Sequence, residues 1–265
     1  MTILITGATD GLGRALARRL AADGEELILH GRDAGKLAVL ANETGGRTVV
    51  ADLAELAQVR RLAAEVLDST GRLEVLVSNA GIGPGVPDGR TRRTSVDGHE
   101  LRFAVNFLAG FLLTVELLPL LRRSAPARIV NVASLGQHPL DFADLMIEHR
   151  YDGSRAYAQS KLAQVMSGFE LAERVPAHEV AVNSLHPGTY MPTKIVLQEI
   201  GQTVDTLDSG VEAVRRLAVD EVGARTGLFY DRTREARANE QAYDSAARRE
   251  LWRRALALVD HPEIG

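Results

Sequence analysis

The sequence predicts one doubly wound α/β domain, a seven-stranded parallel sheet flanked by helices, occupying residues 1–265. Three observations predict it. Short β-rich runs alternate with longer helical patterns from one end of the chain to the other, as parallel strands joined by helical crossovers require. The runs are continuously apolar, as in Val75-Leu76-Val77 and Ile129-Val130, without the alternation of a half-solvated sheet, so helices should cover both faces. The 265 residues, 45% hydrophobic and 25% charged, fit one large domain, and no linker, repeat or low-complexity segment divides them.

The elements follow in order. Thr2–Thr6 reads as the first strand, and Gly11–Ala22, with Leu12, Leu16 and Leu20 at a spacing of four, as the first helix. Leu27–His30, Arg47–Ala51, Glu74–Ser78, Arg128–Ala133, Glu179–Ser184 and Thr226–Tyr230 supply six more strands. Helical patterns cover Ala34–Glu43, Leu56–Ser69, Val96–Leu121, Ser154–Arg174, Gly210–Val219 and Gln241–Val259. Within Val96–Leu121, Arg102, Asn106, Thr114 and Glu116 interrupt the apolar run short of the roughly 20 residues a membrane span needs, which predicts a buried helix. Its Phe103, Phe107 and Phe111 recur every four residues on a helix apolar nearly all round, which places it beneath the sheet or against a second subunit. Two stretches break the alternation, 135–153 and 189–209. Both follow the carboxyl end of a strand, where open α/β sheets bind ligands.

Composition removes several kinds of chemistry. With no cysteine there is no disulfide, thiol nucleophile or zinc-thiolate site, and no metal centre is expected. A net charge of −4 gives no electrostatic reason for a nucleic-acid partner. Met1–Thr6 runs straight into a glycine-rich turn with no basic and apolar leader, so a cytoplasmic protein with no membrane partner is expected.

The turn is Thr6-Gly7-Ala8-Thr9-Asp10-Gly11-Leu12-Gly13, between the first strand and first helix. Glycines there let the backbone turn tightly and approach a pyrophosphate, while the following helix offers free N–H groups and its positive dipole end. The spacing is G-x-x-x-G-x-G. A second motif, Tyr157-Ala158-Gln159-Ser160-Lys161, lies in the helix after the fifth strand and puts a phenol and an ammonium on one face. With five tyrosines and three lysines, chance supplies about 0.06 such pairs per chain. The three lysines stand against 28 arginines, so a lysine here points to a site that needs a compact ammonium. A cation favours the anionic form of a neighbouring phenol, and a phenol so tuned can protonate a carbonyl oxygen or deprotonate an alcohol.

These two motifs resemble those of the short-chain dehydrogenase/reductase family, with its T-G-x-x-x-G-x-G turn and Y-x-x-x-K pair, and the resemblance extends over nearly the whole chain, to Leu251-Trp252. It implies a Rossmann fold, with Gly7, Thr9, Asp10, Gly11, Leu12 and Gly13 at the dinucleotide, and Tyr157 as acid/base with Lys161 tuning it; both also reach the nicotinamide ribose. Ser134, after the fifth strand, falls where the family carries its carbonyl-orienting serine; a hydroxyl there can stabilise charge developing on oxygen. Tyr157 follows Ser134 by 23 residues, a long separation similar to that of the retinol-dehydrogenase-like branch. Asn106, a polar residue in an apolar helix, needs partners to offset its burial; the family's asparagine in this helix holds a water on the proton path. Asn79-Ala80-Gly81 resembles the family's N-A-G, Asp52-Leu53 its adenine-binding pair, and Pro187-Gly188 its P-G at the nicotinamide. The threonine that the family carries four residues past that glycine is replaced by Pro192 here, which leaves its role between Thr193 and Thr189. His186 has no carboxylate in its sequence context and reads as incidental.

Dinucleotide folds selective for NAD place a carboxylate about 20 residues past the glycine turn, and NADP-selective ones use an arginine. By the resemblance the acid position falls on Gly31, with Arg32 next. That favours NADP(H) over NAD(H), with Asp33 and Asp10 as counter-indications. The expectation is an NADP(H)-dependent oxidoreductase moving hydride between the cofactor and a carbonyl or secondary alcohol of a medium-sized hydrophobic small molecule, its substrate site lined by Gln137–Asp144, Tyr151 and Tyr190–Ile200. The same site could serve epimerisation, dehydration or imine reduction, or a non-catalytic sensor of NADP(H). A homodimer or homotetramer is expected, since in the family the asparagine- and tyrosine-bearing helices often form the subunit interface.

Overall fold

The computed structural model describes residues 1–85, 88–193, 196–197, 201–220 and 225–263. Of the expected substrate lining, Lys194, Ile195 and Gln198–Ile200 lie outside the described residues.

Seven parallel strands form as the apolar runs require: β1 (Thr2–Ile5), β2 (Glu26–Gly31), β3 (Arg47–Val50), β4 (Val75–Ser78), β5 (Ala127–Val132), β6 (Val180–His186) and β7 (Leu228–Asp231). An eighth, β8 (Arg234–Ala236), folds back antiparallel on β7, with Asp231 opposite Arg234. The sequence reading omits it because Arg234-Glu235-Ala236 has no apolar run to mark a strand, and Arg232 takes the left-handed conformation (φ 54°) at the turn. The order is β3-β2-β1-β4-β5-β6-β7-β8. Direction of winding reverses between β1 and β4, and the crevice at their carboxyl ends is where such sheets take ligands.

The helices are α1 (Gly11–Ala22), α2 (Ala34–Thr44), α3 (Leu56–Ser69), α4 (Leu101–Arg123), α5 (Gly153–Arg174), α6 (Leu207–Val219) and α7 (Ser245–Leu258). Their starts are set by short acceptor side chains that occupy first-turn N–H groups: Asp10 on α1, Asp33 on α2, Asp152 on α5, Thr206 on α6 and Asp244 on α7. α4 begins five residues later than the apolar run suggests. Glu100, itself buried, takes the N–H of Phe103, while Thr94 pairs with Glu100 in a short antiparallel bridge and Val96 points to solvent.

Two apolar layers sandwich the sheet. Leu12, Leu16, Leu20, Leu37 and Val214 of α1, α2 and α6 fill one face. On the other face Val59, Phe107, Leu112, Leu162 and Trp252 of α3, α4, α5 and α7 fill the second. By length and composition α4 could cross a membrane, but most of its apolar residues are buried in this layer, as the sequence reading holds. Phe103, Phe107 and Phe111 stack along it, and Phe111 meets Trp252 edge to face at 4.9 Å. The aromatic stripe is thus consumed inside the subunit, covered by α7.

Candidate active site

The glycine turn leaves β1 and enters α1 as expected. Gly7 sits at φ +67°, a conformation strained for any side chain, and Ala80 lies against it. At Gly13 the constraint is packing: an added Cβ would fall 2.2 Å from the Gly7 carbonyl oxygen. Asn79 braces the turn, its Nδ2 donating to the carbonyls of Thr6 (2.9 Å) and Gly7 (3.2 Å), and Thr6 Oγ1 accepts from the N–H groups of Asn79 and Ala80. The Thr6–Gly7 and Asn79–Ala80 segments are therefore one unit, at the point where the sheet reverses. The first turn of α1, Gly11, Leu12 and Gly13, leaves backbone N–H groups without helical acceptors, a donor set suited to phosphate. Asp10 is exposed and its carboxylate caps Gly11 N at 2.8 Å.

At the far end of this crevice, Gly31 closes β2. An added Cβ would stand 2.6 Å from Thr9 Cγ2, so Thr9 occupies the space a carboxylate would need. Asp33 is committed to α2, accepting from Lys36 N at 3.0 Å, and Arg32 is exposed. Asp52 is not a helix cap, since Glu55 precedes α3; its Oδ1 takes Ala54 N at 3.0 Å, and Leu53 beside it is buried. Thr193 lies against Gly11, its Cγ2 within 3.2 Å of where a Cβ would be. Thr189 faces elsewhere, with Oγ1 3.1 Å from His186 Nε2 and its N–H on Asp205. Between the two threonines, the geometry brings Thr193 to the glycine turn. Pro187 and Gly188 are buried beside it, Gly188 packing on Met191 and Asp205.

Tyr157 and Lys161 project from one face of α5. Lys161 Nζ lies 5.9 Å from the Tyr157 ring centroid, and Tyr157 is half-buried. Nζ donates to Val132 O of β5 at 2.8 Å and lies 3.4 Å from Gln164 Oε1. Burial pushes the ammonium down to about 8. Ser134, half-buried past the end of β5, accepts from Gly136 N at 3.0 Å, and His138 N bonds Ala158 O, tying this segment to the tyrosine's helix.

Asn106 sits in a π-helical turn, Ala104–Leu108, where Ala109 N bonds Ala104 O. Such single-turn insertions re-aim side chains and frequently mark functional sites. Asn106 Oδ1 accepts from Ile82 N (2.8 Å), and its Nδ2 donates to Ile82 O (3.1 Å) and Ser160 Oγ (3.0 Å). The amide is satisfied by partners distant in sequence, and it staples the segment following Gly81 to the residue before Lys161. A Cβ on Gly81 would stand 3.2 Å from Asn106 Oδ1 and 3.6 Å from Lys161 Nζ, so the three converge.

Several residues that shape the site carry no mark in the sequence. His30 Nδ1 accepts from Gly7 N (3.3 Å), and Nε2 is 3.1 Å from Ala51 O, which fixes the neutral Nε2–H tautomer between the glycine turn and the end of β3. Burial pushes this imidazole down to about 4. Gln137 Nε2 donates to Ser134 O while its Oε1 accepts from Asn239 N, and Gln241 bonds both backbone groups of Leu140, so the 135–153 segment is stitched to the chain before α7. Arg102, fully buried, bonds the carbonyls of Gly83 and Pro84 and the Tyr151 hydroxyl, and Tyr151 donates to Glu100 at 2.9 Å. Tyr151 is thus committed to this buried cluster, which pushes its phenol upward, chiefly through burial and then the Glu100 charge. His186 does have carboxylates near it in space, Asp231 and Asp205, though burial still lowers it. Among the described residues no group of three or more His, Cys, Asp or Glu is placed to hold a metal ion.

Residues 1–202 match the family model described as short chain dehydrogenase. Retinol dehydrogenase 13 of Mus musculus is 34% identical over 97% of this chain and 83% of its own length, and retinol dehydrogenase 14 of the same organism 35% identical over 95% and 83%. Among solved structures, the Pseudomonas aeruginosa RhlG/NADP active-site complex is similar at a TM-score of 0.70, with 26% identity, covering 87% of this chain and 93% of that one. The glycine turn braced by Asn79, the Tyr157/Lys161 helix and the matched length agree: the chain belongs to the short-chain dehydrogenase family of oxidoreductases and is retinol-dehydrogenase-like.

Proposed function

We propose that the protein is an NADP(H)-dependent carbonyl reductase or alcohol dehydrogenase acting on a medium-sized hydrophobic substrate. The observation that carries the reading is the Lys161 ammonium, buried at the carboxyl end of β5 with the Tyr157 ring 5.9 Å away and, among the described residues, no carboxylate bearing on it. A cation held in low dielectric acts strongly on the nearest titratable group, and here that favours the Tyr157 phenolate. A bound nicotinamide dinucleotide supplies or accepts the hydride at the substrate carbon. Tyr157 gives its proton to the carbonyl oxygen in reduction and takes it back in oxidation. Ser134 orients that oxygen by a hydrogen bond. Asn106 keeps Ile82 and Ser160 in place on the proton path.

The residues present fit the dinucleotide. Gly7, Thr9, Asp10, Gly11, Leu12 and Gly13 would hold the pyrophosphate, Asp52 and Leu53 the adenine, Asn79, Ala80, Gly81, Pro187 and Gly188 the nicotinamide half, Thr193 its amide, and Tyr157 with Lys161 the ribose. The preference for NADP(H) is supported by three features together: Thr9 fills the space over Gly31, Asp33 caps α2, and Arg32 is exposed beside them. The RhlG structure, of the same fold, is described with NADP. Exposed Leu135 and Tyr190, flanking the segments that follow β5 and β6, support an apolar substrate. A panel of aliphatic and aromatic ketones and aldehydes, assayed with NADPH and NADH side by side, tests the reading. It predicts turnover favouring NADPH; consumption of neither cofactor across the panel would contradict it.

A further inference from the structure

We propose that Gln164 is a positioning residue for the reaction, an amide strut that holds the Lys161 ammonium against the end of β4; the inference rests on the Tyr157/Lys161 reading above. An ammonium has three protons to place. Buried as it is, Lys161 finds two oxygens for them among the described residues, Val132 O at 2.8 Å and Gln164 Oε1 at 3.4 Å. Gln164 lies one turn beyond Lys161 on α5, on the same face, and is itself buried. The orientation of its amide is fixed from the other side: Nε2 donates to Ser78 O of β4 at 3.2 Å, so Oε1 is the end turned toward Nζ. Two strands therefore grip the lysine, β5 directly and β4 through Gln164, immediately before Asn79-Ala80-Gly81.

The polar surroundings make this contact count. Around Nζ the neighbouring groups are the Tyr157 phenol on α5, neutral Asn106 on α4 beyond Gly81, and the backbone carbonyl of β5. Among the described residues, desolvation is the influence that moves Lys161, and no charged group offsets it. In such a place a neutral oxygen acceptor supports the charged form and fixes where the charge sits relative to the phenol. Met or Leu at position 164 would fill the volume and leave both Nζ and Ser78 O short of a partner.

The test uses the scarcity of lysine. With only Lys36, Lys161 and Lys194 in the chain, a protein labelled with lysine 13Cε gives three side-chain signals, assigned by K36R and K194R. Gln164→Met should lower the midpoint of the Lys161 titration by about half a pH unit, and Gln164→Glu, which puts a carboxylate at the same distance, should raise it by about 1 unit or more. In the Gln164→Met protein the rising limb of alcohol oxidation against pH should move upward, because a less firmly held cation favours the phenolate less. Thermal melting of each variant shows that it is folded; if Gln164→Met does not fold, Gln164→Glu alone carries the test. A Lys161 midpoint unchanged in the folded variants overturns the proposal. The titration needs no turnover, so a shifted midpoint in a protein inactive on every carbonyl would leave the strut standing and overturn the oxidoreductase reading instead.

Discussion

Phe111 and Trp252 meet edge to face with ring centroids 4.9 Å apart, joining the helix that carries Asn106 to the last helix of the chain. Trp252 is fully buried, and the Arg174 guanidinium lies 4.8 Å over its ring. Truncating a buried indole removes its contacts and leaves a cavity, a loss of about 3–5 kcal/mol. Trp252→Ala should therefore lower the urea unfolding midpoint sharply at an unchanged slope. A loss below about 1 kcal/mol, the range of an ordinary surface change, would show that α7 does not seal this layer.

Glu100 and Arg102 form a buried pair, 3.6 Å apart, completed by Tyr151. Removing one partner strands the other charge in low dielectric at a cost of about 3–5 kcal/mol. Arg102→Met should destabilise the protein by that order, and because Arg102 also holds the carbonyls of Gly83 and Pro84, next to Gly81, KM for the carbonyl substrate should rise as well. Chemical denaturation together with steady-state kinetics checks both. Stability within about 0.5 kcal/mol of the parent would contradict the buried cluster.

His30 links acid to stability. Its imidazole is neutral in the fold and pushed down to about 4, mainly by burial, against an ordinary value of 6.5. The unfolded chain therefore binds a proton that the folded one refuses, and stability falls as pH drops from 6.5 toward 4. The span of about 2.5 units corresponds to roughly 3 kcal/mol for this one group. Urea unfolding of the parent and of His30→Asn at pH 7 and pH 4.5 isolates the effect: the difference between the two proteins should shrink at the lower pH. A constant difference would remove His30 from the account.

On the proposed reading, the end of β2 sets the choice of cofactor. Arg32→Ala should raise KM for NADPH about 10-fold or more, the loss of one charge-assisted contact, while leaving KM for NADH nearly unchanged. Gly31→Asp alone should not create an NADH enzyme, because its Cβ would stand 2.6 Å from Thr9 Cγ2. Steady-state kinetics with both cofactors reads this directly, and equal effects of Arg32→Ala on the two would contradict the NADP(H) preference.

What could be read from the sequence is what local spacing determines. The glycine turn and the Tyr157/Lys161 pair depend on neighbours within one turn or one helix face, and the strands on continuous apolar runs, so these appear where expected. The π-helical turn at Asn106 does not, because Ile82 and Ser160 hold it from distant parts of the chain. Gln137, Gln164 and Gln241 read as ordinary polar positions until the fold sets each amide between two backbone segments or against Lys161. The aromatic stripe of α4 was legible as buried, but not what buries it; the packing of Trp252 shows that α7 covers it. β8 has no pattern of its own and exists because Arg232 turns the chain back onto β7.

The Tyr157/Lys161 pair is the centre of the account, and Tyr157→Phe tests it most directly. Removing one hydroxyl leaves the ring beside Lys161 and should leave NADPH affinity, read by quenching of Trp252 fluorescence, within about 3-fold of the parent, less than 1 kcal/mol. Turnover of a ketone that the parent reduces should fall by about 100-fold or more, the contribution of a positioned general acid. Turnover equal to that of the parent, with the cofactor still bound, would contradict the mechanism.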